Sequence, residues 1–225
     1  MGIRSIALQF GTVTLLLGPL ACVSSGKYND LAADLDSIAA ERTALENRNQ
    51  ELEQRLQRKT AQVNEMKFTY DGLVASLEDE LISGKVEIER LRNGIQLNLS
   101  QDILFDSGST QLDEQGAEVL SRVAAQLLGA DARIEVVGHT DDVQISSRLK
   151  GRYPTNWELA GARAGSVVRL LQEEGFDGSR LLAVSSGPFS PRVPNDSPEG
   201  RAKNRRIEIL LIPFEGATLP ASIAD

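Results

Sequence analysis

Two short strings in the 225-residue chain contain the side chains that could bind or transform a ligand: VVGHTDD at 136–142 and TNWELAGARA at 155–164. Asp141 follows a predicted strand, and Arg163 lies beside the apolar stripe of a predicted helix. A partly buried guanidinium requires a carboxylate partner, and Asp141 requires a cation or amide donors. The two residues could pair with each other in an internal salt bridge, or bind the ammonium and carboxylate of one zwitterionic ligand.

The remaining polar residues predict a binding protein rather than an enzyme. The chain has one histidine, His139, and one cysteine, Cys22, so neither a His/Cys metal cluster nor a Cys-His nucleophile pair is expected. Asp141 and Asp142 are adjacent at a strand end and therefore point in different directions, which is poor geometry for paired acid–base work. We expect His139 to have a structural hydrogen-bonding role and Trp157 to be a core anchor. No metal and no cofactor are expected, and the formal net charge of −8 argues against nucleic-acid binding.

The elements that must position these residues are predicted within residues 96–215. Alternating apolar residues and turn signals indicate the order strand, helix, strand, helix, strand, short helix, strand. Asp113 is a candidate helix N-cap, Thr155 and Glu158 fit a capping box, and Ser197 followed by proline opens the short helix. The pattern predicts an α+β domain, with helices packed on a small mixed sheet, and leaves residues 216–225 as a tail.

A proline-free segment precedes this domain and predicts a coiled coil over residues 27–95. Its apolar positions recur with a period of 3.5 residues, as in a coiled-coil seam. They begin at Leu31, Leu35 and Ile38 and end at Gly84, Ile88, Leu91 and Ile95. The narrow seam predicts a homo-oligomer, and the alternative is a helix folded back on the globular domain.

The first 21 residues predict an export signal peptide. Arg4 precedes an apolar run that ends in small residues before Cys22. A membrane span is the competing interpretation, but Gln9, Thr12 and Pro19 interrupt the apolar run. Cys22 would then stand at the cleavage site.

Four strings follow one another along the domain: LFDSGS (104–109), GHTD (138–141), NWELAGARA (156–164) and EGRAKNRRIEI (199–209). In sequence and order they resemble the OmpA-like peptidoglycan-binding domain, which OmpA, Pal and MotB share. The resemblance implies an OmpA-like βαβαβ-type fold that binds diaminopimelate of the peptidoglycan stem peptide. It assigns this binding to Asp141 and Arg163, with Thr140, Asn156, Leu159 and Arg205 in the matching motifs around them.

The chain departs from the family pattern at two places. Ala160 stands where the helix motif usually has serine, which removes one hydroxyl but keeps Arg163. Residues 142–155 form an insert that is longer than in OmpA and closer to the MotB form. Arg148, Lys150 and Arg152 make it basic, and we expect a solvated loop.

The start of the chain resembles a bacterial lipoprotein signal, although Pro19 replaces the leucine that this motif prefers. The resemblance implies lipidation of Cys22 and, because Val23 is not aspartate, location at the periplasmic face of the outer membrane. The expected function is a tether that joins this membrane to peptidoglycan.

One alternative is an inner-membrane component resembling the MotB stator, although residues 5–23 contain no acidic side chain for proton transfer. Another is a peptidoglycan hydrolase, which would need positioned acids or a metal.

Overall fold

The computed structural model describes residues 25–92 and 94–214. It divides into two units, residues 1–56 and 57–225. The predicted signal peptide, Cys22 and the predicted tail at 216–225 lie outside the described residues. Among the residues that are described, no helix combines the length and the apolar character needed to cross a membrane.

The described elements are six helices and five strands, with two additional 3-10 turns at Gln101–Ile103 and Gly178–Arg180. The helices are α1 (Ser25–Ser76), α2 (Glu78–Ile82), α3 (Glu114–Leu127), α4 (Ser147–Lys150), α5 (Asn156–Glu173) and α6 (Pro198–Asn204). The strands are β1 (Val86–Leu91), β2 (Gly94–Ser100), β3 (Ala132–His139), β4 (Leu181–Gly187) and β5 (Arg206–Pro213).

The described part of the first unit is helical, and the apolar side chains of its predicted seam are exposed to solvent. Between residues 31 and 52, the apolar side chains predicted for the seam are 52–59% exposed. These residues are Leu31, Leu35, Ile38, Leu45 and Leu52. An apolar stripe of this kind on an otherwise polar helix is typical of a coiled-coil strand.

The predicted helical segment is too long, because the structure ends it before residue 95. Gly84 adopts a φ of +68°, a conformation that favours glycine, and the chain turns there into β1. Val86 and Ile88 are apolar with period 2, and they pair with Leu99 and Leu97 of β2 in an antiparallel ladder. The apolar residues of this stretch fit both the seven-residue repeat of a coiled coil and the two-residue alternation of a strand. The strand forms instead of the helix because β2 supplies the backbone hydrogen bonds.

A five-stranded mixed sheet organises the second unit, in the order β1-β2-β5-β3-β4. Strands β3 and β4 are parallel, and the other neighbouring pairs are antiparallel. Apolar residues of the central strands, such as Leu97, Ile134 and Ile209, point into a core completed by α3 and α5. The α+β prediction is therefore confirmed, with β1 as an additional edge strand.

Local signals in the sequence placed the helix starts correctly. The Asp113 side chain accepts a hydrogen bond from Gly116 N at 2.6 Å and caps α3. Thr155 and Glu158 form the predicted capping box of α5, and Ser197 caps α6 with Pro198 in its first turn. These caps satisfy amide groups that the first turn of a helix leaves unpaired.

The end of α1 belongs to the core of the second unit. Leu73 and Leu77 are fully buried among residues of the sheet and α3.

We therefore expect Leu73→Ala to lower the free energy of unfolding by about 2–5 kcal/mol, because the substitution leaves a cavity. Urea unfolding would measure the change. Ile82→Ala is the control, since Ile82 is 79% exposed and should shift stability by less than about 0.5 kcal/mol. Equal losses in the two variants would contradict this assignment.

Candidate functional site

A cavity of about 630 Å³ opens where β3 ends and α5 begins. Its walls also include the 3-10 turn after β2, the following segment at 105–113, the insert and the C-terminal part of α6. The structure brings together every residue that the sequence predicted for binding: Thr140, Asp141, Asn156, Leu159, Arg163 and Arg205.

Arg163 is a buried cation in the wall of this cavity, with a relative exposure of 3%. Its Nε donates to the carbonyl of Ser109 at 3.0 Å, and its Nη1 donates to Oε1 of Gln101. The guanidinium carbon lies 5.5 Å from the centre of the Phe105 ring. Within residues 25–92 and 94–214, no carboxylate lies within ion-pair distance of Arg163, so its guanidinium is in direct contact only with neutral groups.

The electrostatic surroundings of Arg163 oppose its charge. Burial lowers the pKa of its guanidinium most strongly, and the neighbouring Arg205 cation lowers it further. Asp102 and Asp141 act in the opposite direction, and the resulting pKa is about 10. Arg163 therefore remains charged at neutral pH, in a position where an anion would relieve an unfavourable burial.

Asp141 pairs with Arg205 and not with Arg163. Its Oδ2 accepts a hydrogen bond from Nη1 of Arg205 at 2.9 Å, and its Oδ1 accepts one from Val143 N at 3.2 Å. Asp141 is 8% exposed, whereas its neighbour Asp142 is exposed, as expected for successive residues at a strand end. The internal salt bridge considered from sequence thus exists with a different arginine.

Backbone contacts fix the strand end that carries Asp141. Nδ2 of Asn156 donates to the carbonyl oxygens of Asp141 at 3.3 Å and Val143 at 3.0 Å. The Thr140 hydroxyl donates to the Asp141 carbonyl, and the Thr140 amide donates to the carbonyl of Gly187. Asn156 and Thr140 therefore position the carboxylate through the main chain.

The basic insert forms an ordered wall of the cavity. Ile145 and Tyr153 pack with Leu159 in a small apolar cluster, and the Tyr153 hydroxyl lies 2.7 Å from the Thr110 hydroxyl. The turn at α4 places Arg148 at the cavity. The apolar residues between the charges anchor the insert, while Arg148, Lys150 and Arg152 are exposed to solvent, as predicted.

Two polar residues of the site were missed by the sequence analysis. Gln101 accepts the hydrogen bond from Arg163, and Asp102 Oδ2 lies 3.9 Å from Nη2 of Arg205. Both lie in the 3-10 turn directly after β2. Their position immediately after a predicted strand was the available signal, but no residue pattern distinguished them from ordinary turn residues.

His139 lies behind the cavity, at the end of β3, and is 4% exposed. Its Nε2 is 3.4 Å from Oε2 of Glu208, whose Oε1 accepts from Nε of Arg206 at 2.9 Å. Burial alone would raise the pKa of Glu208, but the interactions with His139 and Arg206 outweigh it and lower this pKa to about 2. Among the described residues, no group of three or more His, Cys, Asp or Glu side chains could hold a metal ion.

Trp157 is not the core anchor predicted from sequence. Its side chain is 46% exposed and stacks on Phe189, which is 71% exposed. The prediction was wrong because the inward positions of α5 are taken by Leu159, Ala160 and Arg163. Trp157 therefore lies on the outer side of the first turn.

The fold and the cavity define an α+β domain with a charged cleft at the end of a central strand. Residues 104–205 match the OmpA family, and the chain belongs to this family. The match includes Asp141, Arg163 and Arg205, and it confirms the resemblance seen in the motifs.

Related proteins are found among both envelope lipoproteins and motility proteins. The chain is 35% identical over 148 residues to the probable lipoprotein YiaD of Escherichia coli, covering 65% of this chain and 64% of YiaD. It is 26% identical over 157 residues to motility protein B of Bacillus subtilis, covering 69% of this chain and 59% of that protein. The chain therefore spans less than two thirds of the length of these curated relatives.

Two solved structures share the architecture. A MotB-like protein from Desulfovibrio vulgaris superimposes with a TM-score of 0.61 and 30% identity, covering 70% of this chain and 99% of that one. The cell wall anchor of the T6SS from Pseudomonas aeruginosa gives a TM-score of 0.58 and 33% identity, covering 63% and 96%.

The lowered pKa of Glu208 predicts how stability depends on pH. A carboxyl group whose pKa is lower in the folded state stabilises that state above its unfolded pKa of about 4.5. This contribution is lost as the pH falls from about 4.5 towards about 2. We expect Glu208→Gln to be less stable than the parent at pH 7, by about 1–3 kcal/mol, and the difference to shrink as the pH falls through that window.

Urea unfolding of the parent and Glu208→Gln at pH 7, 4 and 2.5 would measure this difference. Glu173→Gln removes an exposed carboxyl group on α5 and is the control, with a small difference from the parent at each pH. A Glu208→Gln deficit that is the same at pH 7 and pH 2.5 would rule out the proposed ionic contribution.

Proposed function

We propose that this chain binds peptidoglycan non-covalently through diaminopimelate of the stem peptide, and thereby tethers the outer membrane to the cell wall. The observation that carries the proposal is the buried charge of Arg163. The proposed site comprises Asp141, Arg163, Thr140, Asn156, Leu159 and Arg205, which line one cavity.

Arg163 is the proposed partner of the ligand carboxylate. It is 3% exposed, charged at neutral pH and, among the described residues, held only by the Gln101 side chain, the Ser109 carbonyl and the Phe105 ring. A buried cation without a counter-ion is costly, so an incoming carboxylate would gain a charge-assisted hydrogen bond in a site of low polarity. A planar guanidinium suits this role because it can bind both oxygens of a carboxylate.

Asp141 is the proposed partner of the ligand ammonium. Its two oxygens already accept hydrogen bonds from Arg205 and Val143. A carboxylate has about four acceptor positions, so it can also accept from an ammonium group. Diaminopimelate carries an ammonium and a carboxylate on the same carbon, which matches one anionic and one cationic side chain in a common cavity.

Multivalency would compensate for the modest strength of one such site. Charge-assisted hydrogen bonds contribute about 1.5–3 kcal/mol each, and part of this offsets the cost of binding. We propose that the coiled-coil segment predicted over 27–95 joins several copies of the chain through its exposed apolar seam. In the structure, the helical part of this segment ends before β1. Several linked sites on one polymer would bind with a higher effective affinity.

Membrane attachment through Cys22 is the second part of the proposal. The similarity to YiaD, named a probable lipoprotein, supports a lipid anchor after a signal peptide at 1–21. The similarity to motility protein B supports the alternative, an inner-membrane component with the same wall-binding domain at 96–215. The lack of acidic residues in 5–23 is the observation that favours the lipoprotein.

The binding site can be tested with charge-selective variants of the full chain. We expect Asp141→Asn to reduce binding to purified sacculi about tenfold or more, because it removes the charge that attracts the ammonium. Arg163→Lys should have a similar effect, since a lysine cannot bind a carboxylate with two parallel hydrogen bonds. Co-sedimentation with sacculi, with and without free diaminopimelate as competitor, would measure both losses.

The matched controls are Asp142→Asn and Arg133→Lys, which alter exposed residues outside the cavity and should bind sacculi like the parent. Thermal midpoints measured by circular dichroism would identify any variant that fails to fold. Parent-level binding by folded Asp141→Asn and folded Arg163→Lys would refute the site.

Lipidation can be tested separately by labelling cells with radioactive palmitate. We expect the label in the parent and its loss in Cys22→Ser, because a thioether at Cys22 is required for attachment of the lipid. Ser24→Ala is the control and should retain the label. Unlabelled parent protein that stays in the inner membrane would favour the alternative component.

A further inference from the structure

An exposed pair of aromatic side chains lies beside the charged cavity. The rings of Trp157 and Phe189 are stacked, with centroids 5.4 Å apart and planes inclined by 26°. Trp157 is 46% exposed and Phe189 is 71% exposed. Exposed apolar surface of this kind forgoes stabilisation that burial would provide, so a contiguous patch is a candidate for ligand contact.

Hydrogen bonds fix the main chain at both residues of the aromatic pair. The Trp157 amide donates to the Thr155 hydroxyl at 3.1 Å, and the Ser185 hydroxyl donates to the Trp157 carbonyl at 2.8 Å. On the other side of the pair, the Phe189 amide donates to the Ser186 carbonyl in a turn. A surface that is already ordered loses little entropy when a ligand binds.

Gly187 connects this pair to the cavity. Its φ is +50°, and a Cβ at this position would lie 3.3–3.6 Å from atoms of the Trp157 indole, so glycine permits close packing under the ring. The carbonyl of Gly187 accepts from the amide of Thr140, which lines the cavity. On the helix, Trp157 directly follows Asn156, another cavity residue. The aromatic pair and the cavity are therefore formed by neighbouring residues at the ends of β3 and β4 and at the start of α5.

The chemistry of the pair suits the apolar face of a sugar ring. Aromatic faces carry partial negative charge, and the axial C–H groups of a pyranose carry partial positive charge. An exposed aromatic face can therefore stack on a pyranose while the sugar hydroxyls remain in water. A charged cavity beside an aromatic surface matches a glycopeptide, in which an amino-acid stem branches from a glycan.

We propose that Trp157 and Phe189 form a glycan subsite that contacts an amino-sugar ring of the peptidoglycan strand while the cavity holds the stem peptide. This inference rests on the proposed function, and it assigns the glycan a direct role in recognition. It also explains why both rings lie on the surface beside a binding cavity.

Trp157 is the only tryptophan of the chain, so its fluorescence reports on this subsite directly. Glycan strands stripped of stem peptides by an amidase are the probe. We expect them to change the Trp157 emission of the full chain in a saturable manner. Phe189→Ala should weaken this binding about tenfold, which corresponds to about 1.4 kcal/mol, and should leave the affinity for free diaminopimelate unchanged.

Phe68→Ala is the matched control, because Phe68 is a 78% exposed aromatic residue on α1. It should bind stripped glycan like the parent. Arg163→Lys should also keep the emission change with stripped glycan while losing the free amino acid, which separates failure of the cavity from failure of the aromatic subsite.

The inference is overturned if stripped glycan leaves the parent emission unchanged, or if Phe189→Ala binds it as tightly as the parent. It is also overturned if Trp157 emission shifts with protein concentration alone, since a second copy would then cover the rings. In each of these cases, the Asp141 and Arg163 variants still test the stem-peptide proposal independently.

Discussion

The burial of one positive charge is the constraint on which the rest of the site depends. The Arg163 guanidinium lies almost out of contact with solvent, and its described neighbours are an amide side chain, a carbonyl and an aromatic ring. Folding therefore retains a cation whose pKa is lowered to about 10, with Asp102 and Asp141 acting on it only from a distance. Burial of this kind is costly, and an anion in the cavity would offset part of that cost.

The same side chain also organises the cavity around it. By donating to Ser109 and Gln101, Arg163 connects α5 to the segment at 105–113 and to the 3-10 turn after β2. The Asp141–Arg205 pair connects the end of β3 to the end of α6 in the same way. Five chain segments thus meet at three charged residues, so the shape of the cavity and the packing of this edge are coupled.

Two local features extend the surroundings of the cavity. The insert at 142–155 is folded against Leu159 and supplies Arg148 to the wall. The exposed Trp157–Phe189 pair adds apolar surface next to residues that line the cavity. Relatives named as a lipoprotein, as motility proteins and as a cell wall anchor are similar to this chain, so the fold alone does not determine function.

Local chemistry made much of this protein predictable from its sequence. The caps at Asp113 and Thr155 and the apolar alternation of β5 depend on near neighbours in the chain, and the structure confirms these elements. Three features depended on distant contacts. Residues 86–91, predicted as part of the helical seam, form a strand because they pair with β2. Asp141 pairs with Arg205 because the fold places that arginine beside it. Trp157 remains exposed because other residues of α5 occupy the positions that face the core. Periodicity and motifs specify what a residue can do locally, but only the assembled sheet and helices determine which side chains meet and which remain exposed.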